Sequence, residues 1–165
     1  MMMPQQPSAL TPHHSAAMAA LYQACFPEAW SAAFFSQTLQ EASPGDGQGY
    51  GQGYGVLQGQ RLLGFILGHV IQGESEILTL CVDQQYRNQG IGTSLLQTFL
   101  TASKCHQCFL EVKHNNQPAQ HLYKRLGFHP IAIRKGYYAL SAYERQDALV
   151  MQWTKAIPVV TLGGF

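Results

Sequence analysis

The sequence predicts an α/β domain, a mixed β-sheet with helices on both faces, and three observations carry that reading. First, Ile77-Leu78-Thr79-Leu80-Cys81-Val82 is an apolar run of strand formers. It enters a turn that opens into a segment with Ile91, Leu95, Leu96, Phe99 and Leu100 at helical spacing. Second, a strand–helix–strand pattern follows between Cys108 and Ile133. Third, Gly55–Gln58 and Leu62–Ile71 flank Gly59-Gln60 as an antiparallel hairpin. With 165 residues, 46% hydrophobic and 12% charged, the chain suits one domain over residues 1–165.

Taken in order, Ser8–Thr11 reads as a short strand and Pro12–Cys25 as an alanine-rich helix burying Met18, Leu21 and Tyr22. Phe26-Pro27-Glu28-Ala29-Trp30 breaks it, and Ser31 is placed to cap a second helix through Phe34, Phe35 and Leu39. Pro44–Gly55 holds the repeat Gly47-Gln48-Gly49-Tyr50-Gly51-Gln52-Gly53-Tyr54, which reads as a low-complexity loop over about residues 42–55 and lacks a Walker lysine. Gln72-Gly73 turns the chain into the strand Glu74–Val82, and the helix after the turn is expected to end near Ser103. Cys108–Val112 is a strand, Asn115-Asn116-Gln117-Pro118 opens a helix that stops at Gly127, and Phe128–Ile133 and Ala148–Trp153 are the last strands. Residues 155–165 form a tail without an assigned place.

Net charge is +1, too little for a basic field that would hold nucleic acid. The first seven residues lack a charged region followed by an apolar one, and the stretch Leu62–Gly68 is too short to span a bilayer. A soluble, cytoplasmic chain with no membrane partner is the expectation. Cys25, Cys81, Cys105 and Cys108 make no disulfide framework, and Cys105-His106-Gln107-Cys108 lacks a second ligand pair, so no metal is expected.

The turn between strand and helix is the candidate binding element. A helix start offers unpaired N–H groups and the positive end of the dipole, and Arg87, Gly90 and Gly92 suit a pyrophosphate. A dinucleotide fingerprint fails because Leu95 stands where its third glycine belongs, and a P-loop fails for want of Gly-Lys-Ser/Thr. Arg87-Asn88-Gln89-Gly90-Ile91-Gly92 instead resembles the Arg/Gln-x-x-Gly-x-Gly/Ala signature of the GNAT acetyltransferase superfamily. Leu110-Glu111-Val112-Lys113, Asn116 and Ala119-Gln120-His121-Leu122-Tyr123 through Gly127-Phe128 resemble its second block. Arg134-Lys135-Gly136-Tyr137-Tyr138 and Asp147–Met151 are similar to the ending of the RimI-like subgroup, which acetylates a ribosomal protein's N-terminal alanine. The resemblance covers about residues 8–154 and departs from the subgroup where Glu28-Ala29 interrupt a Phe-Pro-Trp turn and where the glycine-rich link is long.

The resemblance implies the GNAT fold, mostly antiparallel with a central parallel pair of strands splayed at the cofactor site. It implies acetyl-CoA as cosubstrate, held by the backbone of Leu80, Cys81 and Val82, by Arg87, Asn88, Gln89, Gly90, Ile91, Gly92 and Thr93, and by Asn116. It also implies a protein N-terminus, that of a ribosomal protein, as acceptor. Glu111 would be the general base and Tyr123 the general acid, Tyr123 also touching the cofactor, with Glu74 and Glu76 as rivals for the base. Tyr137 and Tyr138 would lie over the acceptor and Trp30 would line its other wall, although each of the three also suits plain packing. A lysine or small-amine acceptor, and a non-catalytic acyl-CoA-binding module, are the alternatives.

Overall fold

The structure is a computed structural model and describes residues 5–40, 47, 49–139 and 144–156. Its strands are β1 (Ser8–Ala9), β2 (Tyr50–Gln58), β3 (Arg61–Ile71), β4 (Glu74–Val82), β5 (Gln107–Lys113), β6 (His129–Ala139) and β7 (Arg145–Thr154). Its helices are α1 (Ser15–Cys25), α2 (Ala32–Gln40), α3 (Ile91–Ala102) and α4 (Gln117–Arg125). The strands form one sheet in the order β1-β2-β3-β4-β5-β7-β6, antiparallel throughout except for the central pair β4 and β5.

Local chemistry sets the element ends. Ser31 caps α2, its Oγ accepting from Phe34 N–H at 3.1 Å. The turn between β3 and β4 has Gln72 and Gly73 both at positive φ, 50° and 83°, the two-residue geometry that matches strand twist. Gly127, at φ +100°, ends α4 in the left-handed conformation.

Two cores sandwich the sheet. On one face α3 and α4 bury Ile91, Leu95, Leu96, Phe99 and Tyr123 against Ile66, Leu110, Val112 and Met151. On the other, α1 and α2 bury Met18, Leu21, Tyr22 and Phe35 against Phe65, Leu67 and Cys81. Cys105 and Cys108 are both buried in the first core. Among the described residues no helix is long and apolar enough to cross a membrane.

The glycine-rich segment departs from its expected loop. From Tyr50 onward it is β2, paired residue by residue with β3 from Tyr50↔Val70 to Val56↔Gly64. Its alternation has the period of a strand, so Gly51, Gly53 and Gly55 share one face while Tyr50 and Tyr54 pack on the α3 side. A Cβ at Gly51 would come 2.7 Å from the Thr38 carbonyl carbon, and one at Gly53 3.1 Å from Leu39 Cδ2. The glycine face thus lets α2 lie directly on the sheet. Residues 42–46 and 48 of the expected loop, and 157–165 of the tail, lie outside the described residues. β6 and β7 also run longer than expected, to Ala139 and from Arg145.

The central parallel pair positions the site. β4 and β5 pair only over Glu74–Ile77 with Gln107–Leu110. At that point β4 carries a bulge, since Leu67 faces Thr79 while Gly68 faces Ile77, leaving Leu78 without a partner on β3. A bulge bends and twists its strand, so Leu78–Val82 leave β5 and the two strands open like a V. The splay follows from one inserted residue.

Candidate active site

The turn after β4 leads directly into the N-terminus of α3. Asp83 anchors it, accepting from Gln85 N–H at 3.0 Å and pairing with Arg61 at 3.1 Å. These contacts, the backbone N–H first, hold its carboxyl below the usual range. Asn88 and Gly90 then take positive φ, 61° and 85°, and Gly90 caps α3 without a side-chain bond to the first-turn amides. Nothing lies within 4 Å of where a Gly90 Cβ would sit, so those amides open onto space. Arg87 is fixed beside them, its Nε donating to the Val82 carbonyl at 3.1 Å.

α4 forms the opposite wall. Asn116 caps it, Oδ1 accepting from Ala119 N–H at 3.2 Å, and also faces the cleft. Arg125 reaches across to donate to Thr93 Oγ1 at 2.9 Å, tying α4 to the first turn of α3. The resulting cleft, about 850 Å³, is lined by Leu80, Cys81, Val82, Arg87, Asn88, Gly90, Ile91, Gly92, Thr93, Asn116 and Tyr123. Gln89, expected among them, is exposed and does not line it. Tyr123 is buried, 8% exposed, with its ring 5.8 Å from that of Phe128. Burial, followed by the fields of Cys81 and Tyr138, pushes its hydroxyl pKa up, so the phenol stays protonated at neutral pH.

The cleft also collects residues that the sequence reading passed over: Cys25 and Phe26 at the end of α1, Tyr86, and Pro118, Ala119, His121, Leu122 and Arg125 on α4. Pro118, His121, Leu122 and Arg125 recur at i, i+3, i+4 and i+7, and Ala119 stands three residues after Asn116, so helical spacing was a usable signal. Cys25 had none, because its neighbours come from β4 and the turn. Its thiol pKa is lowered, first by a hydrogen bond from Cys81 and then by Arg87, whose Nη2 is 3.9 Å away.

Glu111, Tyr137, Tyr138 and Trp30 do not line this cleft. On β5 the side chains of Cys108, Leu110 and Val112 enter the α3–α4 core, so Glu111 points to the opposite face. β5 is interior, paired with both β4 and β7, and Glu111 is no edge residue. Its side chain is 20% exposed and ion-paired with Arg134, and its charge raises the Tyr137 hydroxyl pKa. Tyr137 and Tyr138 stand edge to face, centroids 5.1 Å apart, with Lys113 Nζ 5.4 Å over Tyr138. Burial and the charge of Glu111 push the Tyr138 pKa up to about 12. Trp30 stacks on Tyr22 at 4.5 Å and 10° within the α1–α2 aromatic cluster. Glu74 and Glu76 are exposed on the paired half of β4, Glu76 one residue before the last pair, Ile77↔Leu110. The structure therefore has a cleft at the N-terminus of α3, walled by α4 and the end of α1, and a separate carboxylate–tyrosine cluster around Glu111.

The Acetyltransferase (GNAT) family profile matches residues 15–128 of this chain. The chain belongs to the GNAT acetyltransferase family. It is 32% identical over 127 residues to the N-alpha-acetyltransferase RimI of Mycobacterium tuberculosis, covering 74% of each chain. It is 38% identical over 82 residues to an N-alpha-acetyltransferase of Sulfurisphaera tokodaii, a match that spans about half of either chain (47%). The fold resembles that of the ribosomal-protein-S18-alanine N-acetyltransferase from Escherichia coli, with TM-score 0.80 at 24% identity over 95% of this chain and 97% of that one. It also resembles Arabidopsis thaliana NAA60 in complex with acetyl-CoA, with TM-score 0.75 at 20% identity over 90% and 97%. GNAT acetyltransferases use acetyl-CoA, and the residues here fit that group: open first-turn amides, a fixed arginine, and a free strand edge leading to the gap.

Proposed function

We propose that this chain transfers the acetyl group of acetyl-CoA to the α-amine of a protein N-terminus, and that the acceptor is the N-terminal alanine of a small-subunit ribosomal protein. One observation carries the reading: the β4–β5 splay joins the anion-binding turn to the face that bears Glu111. The diphosphate takes the α3 amides and Arg87, and the pantetheine arm runs along the unpaired edge of Leu80–Val82 as an added strand.

The amine must attack unprotonated. An α-amino group ionises near pH ~8 and a lysine near ~10.4, so an N-terminal acceptor needs less help at neutral pH. Glu111 accepts the proton that leaves the amine, and a backbone N–H of Leu80–Val82 holds the oxyanion. Tyr123, kept protonated by its burial, donates its proton to the departing CoA thiolate. The relatives named for N-alpha and ribosomal-alanine acetylation support the acceptor class.

The test is a rate comparison by mass spectrometry on an alanine-initiated peptide, a blocked peptide with one internal lysine, and spermidine. The alanine peptide is expected to be acetylated fastest. Faster turnover of spermidine or lysine assigns a different acceptor, and acetyl-CoA binding without turnover on any amine makes the chain a binding module.

A further inference from the structure

β6 leaves its ladder with β7 at one place. Arg134 pairs with Ala148 and Tyr138 with Gln146, so Lys135, Gly136 and Tyr137 together oppose the single residue Asp147. The bulge is held closed: Gly136 at φ +63° donates its N–H to Asp147 Oδ1 at 2.9 Å, and its carbonyl accepts from Arg145 Nη1 at 2.9 Å. Glycine is favoured at that φ, and two charged side chains bond its backbone there.

The bulge sets Arg134 and Tyr137 over Glu111. Arg134 Nη1 donates to Glu111 Oε1, and the guanidinium lies 4.9 Å over the Tyr137 ring. Stability is a poor reason for this arrangement. The Arg134 side chain is 54% exposed, and an ion pair so open to water adds little to stability. Glutamate has three rotatable bonds, and its strand neighbours Leu110 and Val112 point to the other face, so nothing in β5 itself orients the carboxylate.

We propose that Arg134 is a positioning residue for acetyl transfer. By occupying Glu111 Oε1 it leaves Oε2 to take the proton of an acceptor amine arriving at the β4–β5 gap. The inference rests on Glu111 being the base. The amine proton passes to Oε2, and Arg134 keeps its own proton throughout, since guanidinium does not deprotonate in proteins. Misplacement of a reacting group by ~1 Å can cost ~100-fold in rate, so Arg134→Ala is expected to lower kcat by roughly 10- to 100-fold while the KM for acetyl-CoA stays within about twofold.

The test measures kcat, both KM values and the melting temperature for Arg134→Ala, Arg134→Lys and Glu111→Gln, with an alanine-initiated peptide as acceptor. Arg134→Lys, which keeps the charge on a single donor nitrogen, is expected to recover part of kcat, and guanidinium ion added to Arg134→Ala to recover part as well. A purely structural role predicts no such chemical recovery. Wild-type kcat in Arg134→Ala beside a collapsed Glu111→Gln overturns the positioning role alone. Loss of kcat matched by loss of melting temperature, with no recovery by guanidinium or lysine, overturns it as well. Wild-type activity in Glu111→Gln overturns the base itself.

Discussion

Substituting Gly51 by alanine tests the packing of β2 beneath α2. The new Cβ would sit 2.7 Å from the Thr38 carbonyl carbon, with the carbonyl oxygen nearer still. Carbon atoms in contact prefer about 3.5–4.0 Å, so helix and strand must separate by roughly 1 Å. Both colliding groups are backbone, and no rotamer change relieves them. Overpacking of this kind costs ~1–3 kcal/mol, and backbone against backbone belongs at the upper end. At ~2–4 °C per kcal/mol for a chain of this size, the midpoint should fall by roughly 6–12 °C. Gly59→Ala is the control. It has open space around it but φ +61°, and the left-handed penalty of ~1 kcal/mol predicts a fall of only about 2–4 °C. Thermal unfolding followed by circular dichroism reads both. If Gly51→Ala melts within 2 °C of wild type, on the ~2–4 °C per kcal/mol scale, the glycine face does not support α2 and the strand assignment fails.

Three further outcomes follow from the site. Arg87→Ala should raise the KM for acetyl-CoA about 10- to 100-fold, because a charge-assisted hydrogen bond is worth ~1.5–3 kcal/mol, and the wild-type KM should itself rise with salt. Cys25 should be alkylated by iodoacetamide ahead of the other cysteines: its pKa is lowered, so its thiolate forms at lower pH than in a free cysteine, whereas Cys105, also low, is 1% exposed. Acetyl-CoA should protect Cys25, and peptide mapping across pH 6–9, a span of about 3 units around the ~8.5 of a free thiol, would show no protection if the cleft is not the donor site. Tyr123→Phe should lower kcat by about 10²- to 10⁴-fold with little change in acetyl-CoA affinity, as measured by single-turnover kinetics and calorimetry.

The local parts of this architecture were legible in the sequence. β4, its turn and α3 announce themselves by an apolar strand, two glycines and a helical stripe, and Asn116 and Gly127 mark the ends of α4 where they stand. Local chemistry decides such features, so local sequence shows them. The glycine repeat misled because low complexity and a strand with one bare face share the same letters. Only the approach of α2 tells them apart, and that contact is distant in sequence.

Glu111, Tyr137 and Tyr138 were singled out through family resemblance. Nothing within Phe109–Val112 says that β5 is interior, which depends on β7 pairing with it from the far end of the chain. The contact of Glu111 with Arg134 depends on the bulge that Gly136, Asp147 and Arg145 close between two strands. A glycine flanked by charged and aromatic residues hints at a bend but not at its direction. Cys25 was missed for the same reason: its environment is made by β4 and Arg87.

A crystal structure with acetyl-CoA tests the central claim most directly. The diphosphate should lie on the amides of Gly90–Thr93 beside Arg87, with the thioester sulfur within about 3.5 Å of the Tyr123 hydroxyl. The thioester carbon should stand in the β4–β5 gap, within about 6 Å of the Glu111 carboxylate, the span of one bridging water. A diphosphate bound elsewhere, or a thioester carbon more than about 10 Å from Glu111, beyond the reach of any single-water relay, would contradict the account.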